Sequence, residues 1–149
     1  MKRPLALFPL LLLHILLGIN ALYGGWMLMN DPLAFGMKAE WVDDTPFRGY
    51  FLPGLILFVL LGVFPLFTCI GLLGKPGWQW AGWLNIYPDR HWAWTYSLFT
   101  SLMVLIWMNV QMFVIPSFWL QPFFLAGGLL ILILTLWPAI MRYYLISKT

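Results

Sequence analysis

Residues able to do acid–base or ligand chemistry are few in this chain, and the two groups worth weighing lie far apart. Asp31, Glu40, Asp43 and Asp44 are four of its five carboxylates, gathered ahead of a long apolar run in and around WVDDTPFRGYFLPG. Neighbouring carboxylates can share a proton or hold a cation, but without a third converging group they are weak evidence for a site. Their local grammar is that of a connection. Asn30-Asp31-Pro32 reads as a turn, and Asp44-Thr45-Pro46 as a helix start with a side-chain cap and Pro at the first position. That reading places Asp43 and Asp44 near the positive end of the second helix's dipole. It is preferred to a catalytic dyad or cation site.

The second group is intramembrane. His14 and Asn20 fall in the first apolar run, Ser97, Thr100, Ser101, Asn109 and Gln111 in the third, and Thr135 in the fourth. At about 1.5 Å per residue, His14 lies roughly 14 Å from one end, level with Thr100, Ser101 and Thr135. Asn20 and Asn109 both lie roughly 22–24 Å in on the same rise. Two polar layers follow: His14 with Ser101 or Thr135, and Asn20 paired with Asn109. His14 shares a helix face with Gly18, Ala21 and Gly25, a small-residue stripe that lets a neighbouring helix approach. It therefore faces inward. A histidine there could ligate a haem or metal, bond a quinone or relay protons; a neutral histidine satisfied by one hydroxyl or carbonyl is the preferred alternative. Haem is disfavoured because the other histidine, His91, sits at a membrane border, and the methionines read as packing.

The elements that position these groups are helices. The chain has 149 residues, 62% hydrophobic and 9% charged, against about 25% charged in a soluble domain. Runs over 5–29, 50–73, 93–115 and 123–145 are each long enough to cross roughly 30 Å of hydrocarbon as a helix. They are continuous and Leu-rich rather than alternating, which excludes a β-barrel. The first run is too long for a signal peptide and lacks a small-x-small cleavage site, so it reads as a retained helix. Lys2, Arg3, Lys75, Arg90, Arg142 and Lys148 are six of the eight basic residues and fall on one side, so both termini are expected in the cytoplasm. The expected fold is all-α: a polytopic, multi-pass membrane protein with one four-helix domain, an exported loop over 30–49 and a cytoplasmic loop over 74–92. Pro65 and Pro138 should kink the second and fourth helices by freeing the carbonyls of Leu61 and Leu134. The lone Cys69 excludes a disulfide framework and a Cys-rich metal site, and no basic stripe suggests nucleic acid.

The cytoplasmic loop carries Trp78, Trp80, Trp83, Tyr87, Trp92 and Trp94. Such a density fits a segment lying at the headgroup level. The tryptophans are also candidates for contact with a partner, while an aromatic cage for a quaternary ammonium ranks below both.

Taken in order, YGGWMLMNDP, DTPFRGYFLPGLIL, HWAW, WMNVQ and LQPFF followed by AGGLLILILTL resemble an uncharacterised family of small bacterial four-helix integral membrane proteins. Such proteins show Ser-Gly in the DP turn where this chain has Leu33-Ala34. The resemblance implies four helices and residence in the bacterial cytoplasmic membrane, and it brings no activity. Its recurring residues are Asp31, Pro32, Pro46, Phe47, Pro53, Gly54, His91, Trp92, Trp94, Gln111, Gln121 and Pro122, mostly at loop–helix junctions.

Without a coherent catalytic set, the sequence points away from an enzyme and names no cofactor or metal. The leading expectation is an accessory or structural subunit, in contact with the lipid bilayer and with a membrane protein partner or a second copy of itself. The alternative is a binder of a hydrophobic ligand (lipid, quinone or haem), possibly enzymatic, anchored on His14. A small transporter or channel ranks last, because no acidic or basic pathway crosses the helices.

Overall fold

The structure, a computed structural model, describes residues 2–33, 36–43, 45–116 and 120–146. Ala34, Asp44 and Lys148 lie outside these, and with them part of the DP turn and of the expected helix start. The described residues form an all-helical bundle. Helix α1 is Leu7–Asn30, α2 a single turn over Glu40–Asp43, and α3 the composite Phe51–Gly74. A 3₁₀ helix over Gln79–Leu84 precedes α4 (Trp92–Val114), α5 (Leu120–Thr135) and α6 (Pro138–Tyr143). Helices α1, α3 and α4 are long and apolar enough to cross a membrane. They mark the chain as a membrane protein with lipid against its apolar faces.

Glycines set the closest approach in the bundle. A Cβ on Gly25 would fall 2.7 Å from the carbonyl oxygen of Gly54 and from the amide of Phe58, and one on Gly18 would meet Leu66. The His14–Gly18–Ala21–Gly25 stripe is buried throughout. Small residues here bring two backbones together and let dispersion hold them without a hydrophobic drive.

Two helices depart from the expected outline at proline. In α3 the seven residues Leu57–Val63 wind as a π-helix, and the amide of Phe64 bonds to Val59. The disruption that Pro65 imposes is absorbed as a wider helix before it. The fourth run, expected unbroken over 123–145, is in fact two helices. Trp137 is extended (φ −62°, ψ 131°) and Pro138 opens α6. Pro138 has no N–H for Leu134, whose carbonyl instead accepts from Trp137. The carbonyl of Thr135 accepts from Trp94 Nε1 at 2.8 Å.

The start of α3 also differs from expectation. Thr45 Oγ1 donates back to Val42 at 2.7 Å rather than capping forward. Arg48 (φ 48°) and Gly49 (φ 149°) both lie at positive φ, which no right-handed helix accommodates. The helix therefore begins at Phe51, and Asp43 closes α2 instead of standing at the positive end of α3.

At the end of the bundle bearing Arg3, Lys75, Arg90 and Arg142 (the basic end), the loop after α3 locks onto the last residues. Arg90 Nη1 donates to Met141 at 2.7 Å and Lys75 Nζ to Tyr143 at 2.6 Å, while the Tyr144 hydroxyl donates to Leu72. The opposite, acidic end carries Asp31, Glu40 and Asp43, all exposed. There a small cluster of Leu28, Met37, Val42, Tyr50 and Ile115 holds the 30–50 segment over the helices.

Candidate functional site: a side-opening cleft

Three cavities adjoin between the middle of the bundle and its acidic end and share lining residues. The central one, about 190 Å³, lies among all four long elements, with Ala21, Gly24, Leu57, Leu61, Met108 and Gln111 in its wall. Leu57 and Leu61 come from the π-helical stretch, and Ala21 and Gly24 from α1, where small side chains leave room. A second crevice of about 340 Å³ opens between α1 and α5 at Leu13, Leu16, Phe123 and Gly127. It shares Leu17, Asn20, Leu120 and Phe124 with the central cavity. A third, about 30 Å³, sits beneath the 30–50 segment and shares Leu28, Met37 and Gln111 with the central one. The three form a series of neighbouring cavities from the α1–α5 flank to the underside of the acidic-end loop.

These cavities are mostly apolar, and among the described residues no Lys, Arg or His lines them. The central cavity is larger than the roughly 150 Å³ apolar cavity that accepts benzene. The polar exceptions among the described residues are Asn20, Tyr23, Tyr50, Trp107 and Gln111. Asn20 lines the cleft, and its Nδ2 donates to its own helix at Leu16 (2.7 Å). Trp107 lines the small cavity, and its Nε1–H is buried with no hydrogen-bond partner among the described residues. An orphaned buried donor typically costs about 1–3 kcal/mol.

The residues singled out from sequence distribute differently. His14 is fully buried, but it lines none of these three cavities. Its Nδ1 lies 2.8 Å from the carbonyl of Leu10. A carbonyl only accepts, so Nδ1 carries the proton and Nε2 is left as a bare acceptor without a partner among the described residues. The expected bond from His14 to a hydroxyl is not made. Ser101 donates to Leu98, Thr100 to Tyr96, and Thr135 pairs with Ser97 at 2.7 Å. Thr68, equally buried and bonded to Phe64, joins this interior set. The expected Asn20–Asn109 pair is also not made. Both are exposed, and each bonds one turn back on its own helix, Asn109 to Leu105 at 2.8 Å.

Of the acidic residues, Glu40 makes one exposed contact, 3.9 Å from Lys38. Among the described residues no three His, Cys, Asp or Glu side chains are grouped to hold a metal.

Two of the five tryptophans expected at an interface are interior. Trp92 and Trp94 are 4% and 3% exposed. Their indoles donate to Pro76 and Thr135, and Trp92 stacks on Phe67 with centroids 5.3 Å apart. The stack continues through Trp78 to Trp80, which folds the loop onto α3 and α4. Trp80 and Trp83 remain outward, 66% and 86% exposed.

Trp107 and Gln111 are the residues that sequence reading underused. Their i, i+4 spacing puts them on one helix face, whereas the sequence reading counts Gln111 only among the intramembrane polar groups and within a motif and does not single out Trp107. The fold and cleft together define an all-helical membrane protein with a cavity open to its flank. Comparison with protein-family models, curated proteins and solved structures finds no match to this chain.

Proposed function

We propose that this protein crosses the bacterial cytoplasmic membrane four times, with both termini inside, and holds the hydrocarbon part of a lipid-like molecule in its side-opening cleft. The bacterial setting rests on the family resemblance, and the inward basic end on the positive-inside rule. One observation carries the binding reading: an apolar crevice at the α1–α5 flank shares Leu17, Asn20, Leu120 and Phe124 with the central cavity. A membrane-facing opening lets a chain slide in from lipid without passing through water, and a helix bundle with few polar groups is a normal setting for such a site. Relative to the sequence expectation, the anchor moves from His14 to the cleft.

Gly127 supplies the test. A Cβ built there meets nothing within 4 Å, yet the residue lines the crevice. Gly127→Phe should fill the opening while leaving the fold intact. In native mass spectrometry of protein gently extracted from its host membrane, the wild type should carry a discrete lipid mass that the variant lacks. A wild type without bound mass would sink the proposal.

The accessory-subunit reading keeps one supporting observation, the outward Trp80 and Trp83 on a loop otherwise folded inward. A stoichiometric protein partner in the same spectrum, lost on replacing both by Ala, would favour it.

A further inference from the structure

Away from the cleft, the basic end of the bundle gathers charge that the fold does not neutralise. Arg3, ahead of α1, donates from Nη2 to the carbonyl of Leu73 at 3.3 Å. Two residues on, Lys75 closes α3 in the left-handed region (φ 48°, ψ 48°), a conformation usually left to glycine. Its Nζ donates to the carbonyl of Tyr143 at 2.6 Å and lies 3.2 Å from the centroid of that ring. Burial, with the Arg3 charge adding to it, holds the Lys75 pKa below its ordinary value. Neither cation meets a carboxylate among the described residues. Asp89, the only side-chain carboxylate of this end, is taken by Arg90 at 3.7 Å. The dipole of α3 favours a cation at its last carbonyls, but two cations brought together leave a repulsion that an anion relieves. Each makes one hydrogen bond within the fold, so the rest of the guanidinium fork and of the ammonium is open to a ligand. The place is a membrane boundary. Leu5 and Leu73, beside these cations, are exposed apolar residues, and the outward Trp80 and Trp83 of the next loop suit the headgroup level.

We infer that Arg3 and Lys75 form a seat for the phosphate of an anionic phospholipid drawn from the leaflet at the basic end. Arginine offers phosphate oxygens a planar fork and lysine a point charge, while the acyl chains lie along the exposed apolar faces of α1 and α3. This seat stands independently of the cleft reading.

The test titrates the full chain in detergent with phosphatidylglycerol or phosphatidylcholine of identical acyl chains and counts bound lipid by native mass spectrometry. A basic group near a lipid surface is worth about fivefold in affinity. The wild type should therefore take its first phosphatidylglycerol roughly 25-fold more tightly than phosphatidylcholine. Arg3→Gln and Lys75→Gly should each reduce that preference about fivefold, and the glycine keeps the left-handed close of α3 unstrained. Lys75→Arg should retain it. Arg142→Gln, which removes an exposed cation of the same end outside the seat, should leave it unchanged. Equal affinity of the wild type for the two lipids would overturn the inference without any variant. So would a preference that Arg142→Gln weakens as much as Arg3→Gln does, since it would then belong to the diffuse charge of this end. Displacement of phosphatidylglycerol by millimolar glycerol 3-phosphate would overturn the lipid assignment and make the seat one for a soluble phosphate.

Discussion

A polar side chain inside a bilayer can reach the carbonyl one turn back on its own helix or a group on a neighbour. The local carbonyl needs no particular helix rotation, and here it is taken repeatedly: His14 to Leu10, Asn20 to Leu16, Thr68 to Phe64, Thr100 to Tyr96 and Asn109 to Leu105. Depth along the helix was readable from residue count. Partner choice was not, because it depends on helix rotation and on a local bond that sequence spacing cannot rank against a distant one. Glycine gives the complementary case, where the type and spacing of residues did indicate close packing. Gly25→Ala should be destabilising by about 1–3 kcal/mol, since its Cβ would press on backbone atoms of α3 that cannot rotate away. Thermal unfolding in detergent measures this, with Gly127→Ala as control. The control has open space at its Cβ and should be neutral or up to about 1 kcal/mol stabilising through helix propensity. Equal melting of Gly25→Ala and wild type would mean that α1 and α3 do not approach as described.

At the scale of elements, the three long helices lie within two residues of the runs expected from hydropathy, because continuous apolar length is a strong signal. Junctions were harder, since they are decided by single backbone groups. The start of α3 was displaced by two positive-φ residues, and the fourth run was broken by the missing N–H of Pro138. The start of α4 is governed by His91. Its Nδ1 accepts from the amide of Ala93, and its Nε2 lies 3.1 Å from the carbonyl of Pro76. That pairing requires the neutral ring with the proton on Nε2. Burial, with the Lys75 charge adding to it and the Pro76 bond opposing, holds the His91 pKa below its ordinary value. The sign follows from linkage. The unfolded chain takes up the proton first, near pH 6.5, so the stability this residue contributes is complete above that pH and declines as pH falls toward the lower folded value. His91→Asn retains a capping oxygen and removes the titration. It should change stability by about 1 kcal/mol or less at pH 7.5, and its melting temperature should fall less than that of wild type between pH 7.5 and pH 5. Parallel declines in the two proteins would assign the pH dependence to another group.

For the whole molecule, the open issue is the fourth traverse. Helix α5 has 16 residues and alone would reach about 24 Å, short of a roughly 30 Å hydrocarbon layer. Helix α6 adds six residues, about 9 Å more, and the pair together is long enough despite the break. Contacts agree with that length. Ile115, just after α4, packs in the acidic-end cluster with Val42 and Tyr50. Tyr143, at the end of α6, accepts from Lys75 at the basic end. The chain between them therefore runs from one end of the bundle to the other, as α3 does. If the basic end faces the cytoplasm, a membrane-impermeant maleimide on intact cells should modify Glu40→Cys and Pro116→Cys but not Gly77→Cys or Ile146→Cys, in a background where Cys69 is Ala. After permeabilisation all four should react. The chosen sites are exposed, so a missing reaction reports membrane side and not burial. Labelling of Ile146→Cys from outside, with Gly77→Cys still protected, would break the fourth crossing and the Lys75–Tyr143 contact at once. Labelling of Gly77→Cys and Ile146→Cys alone would invert the orientation and place the 30–50 segment on the cytoplasmic side.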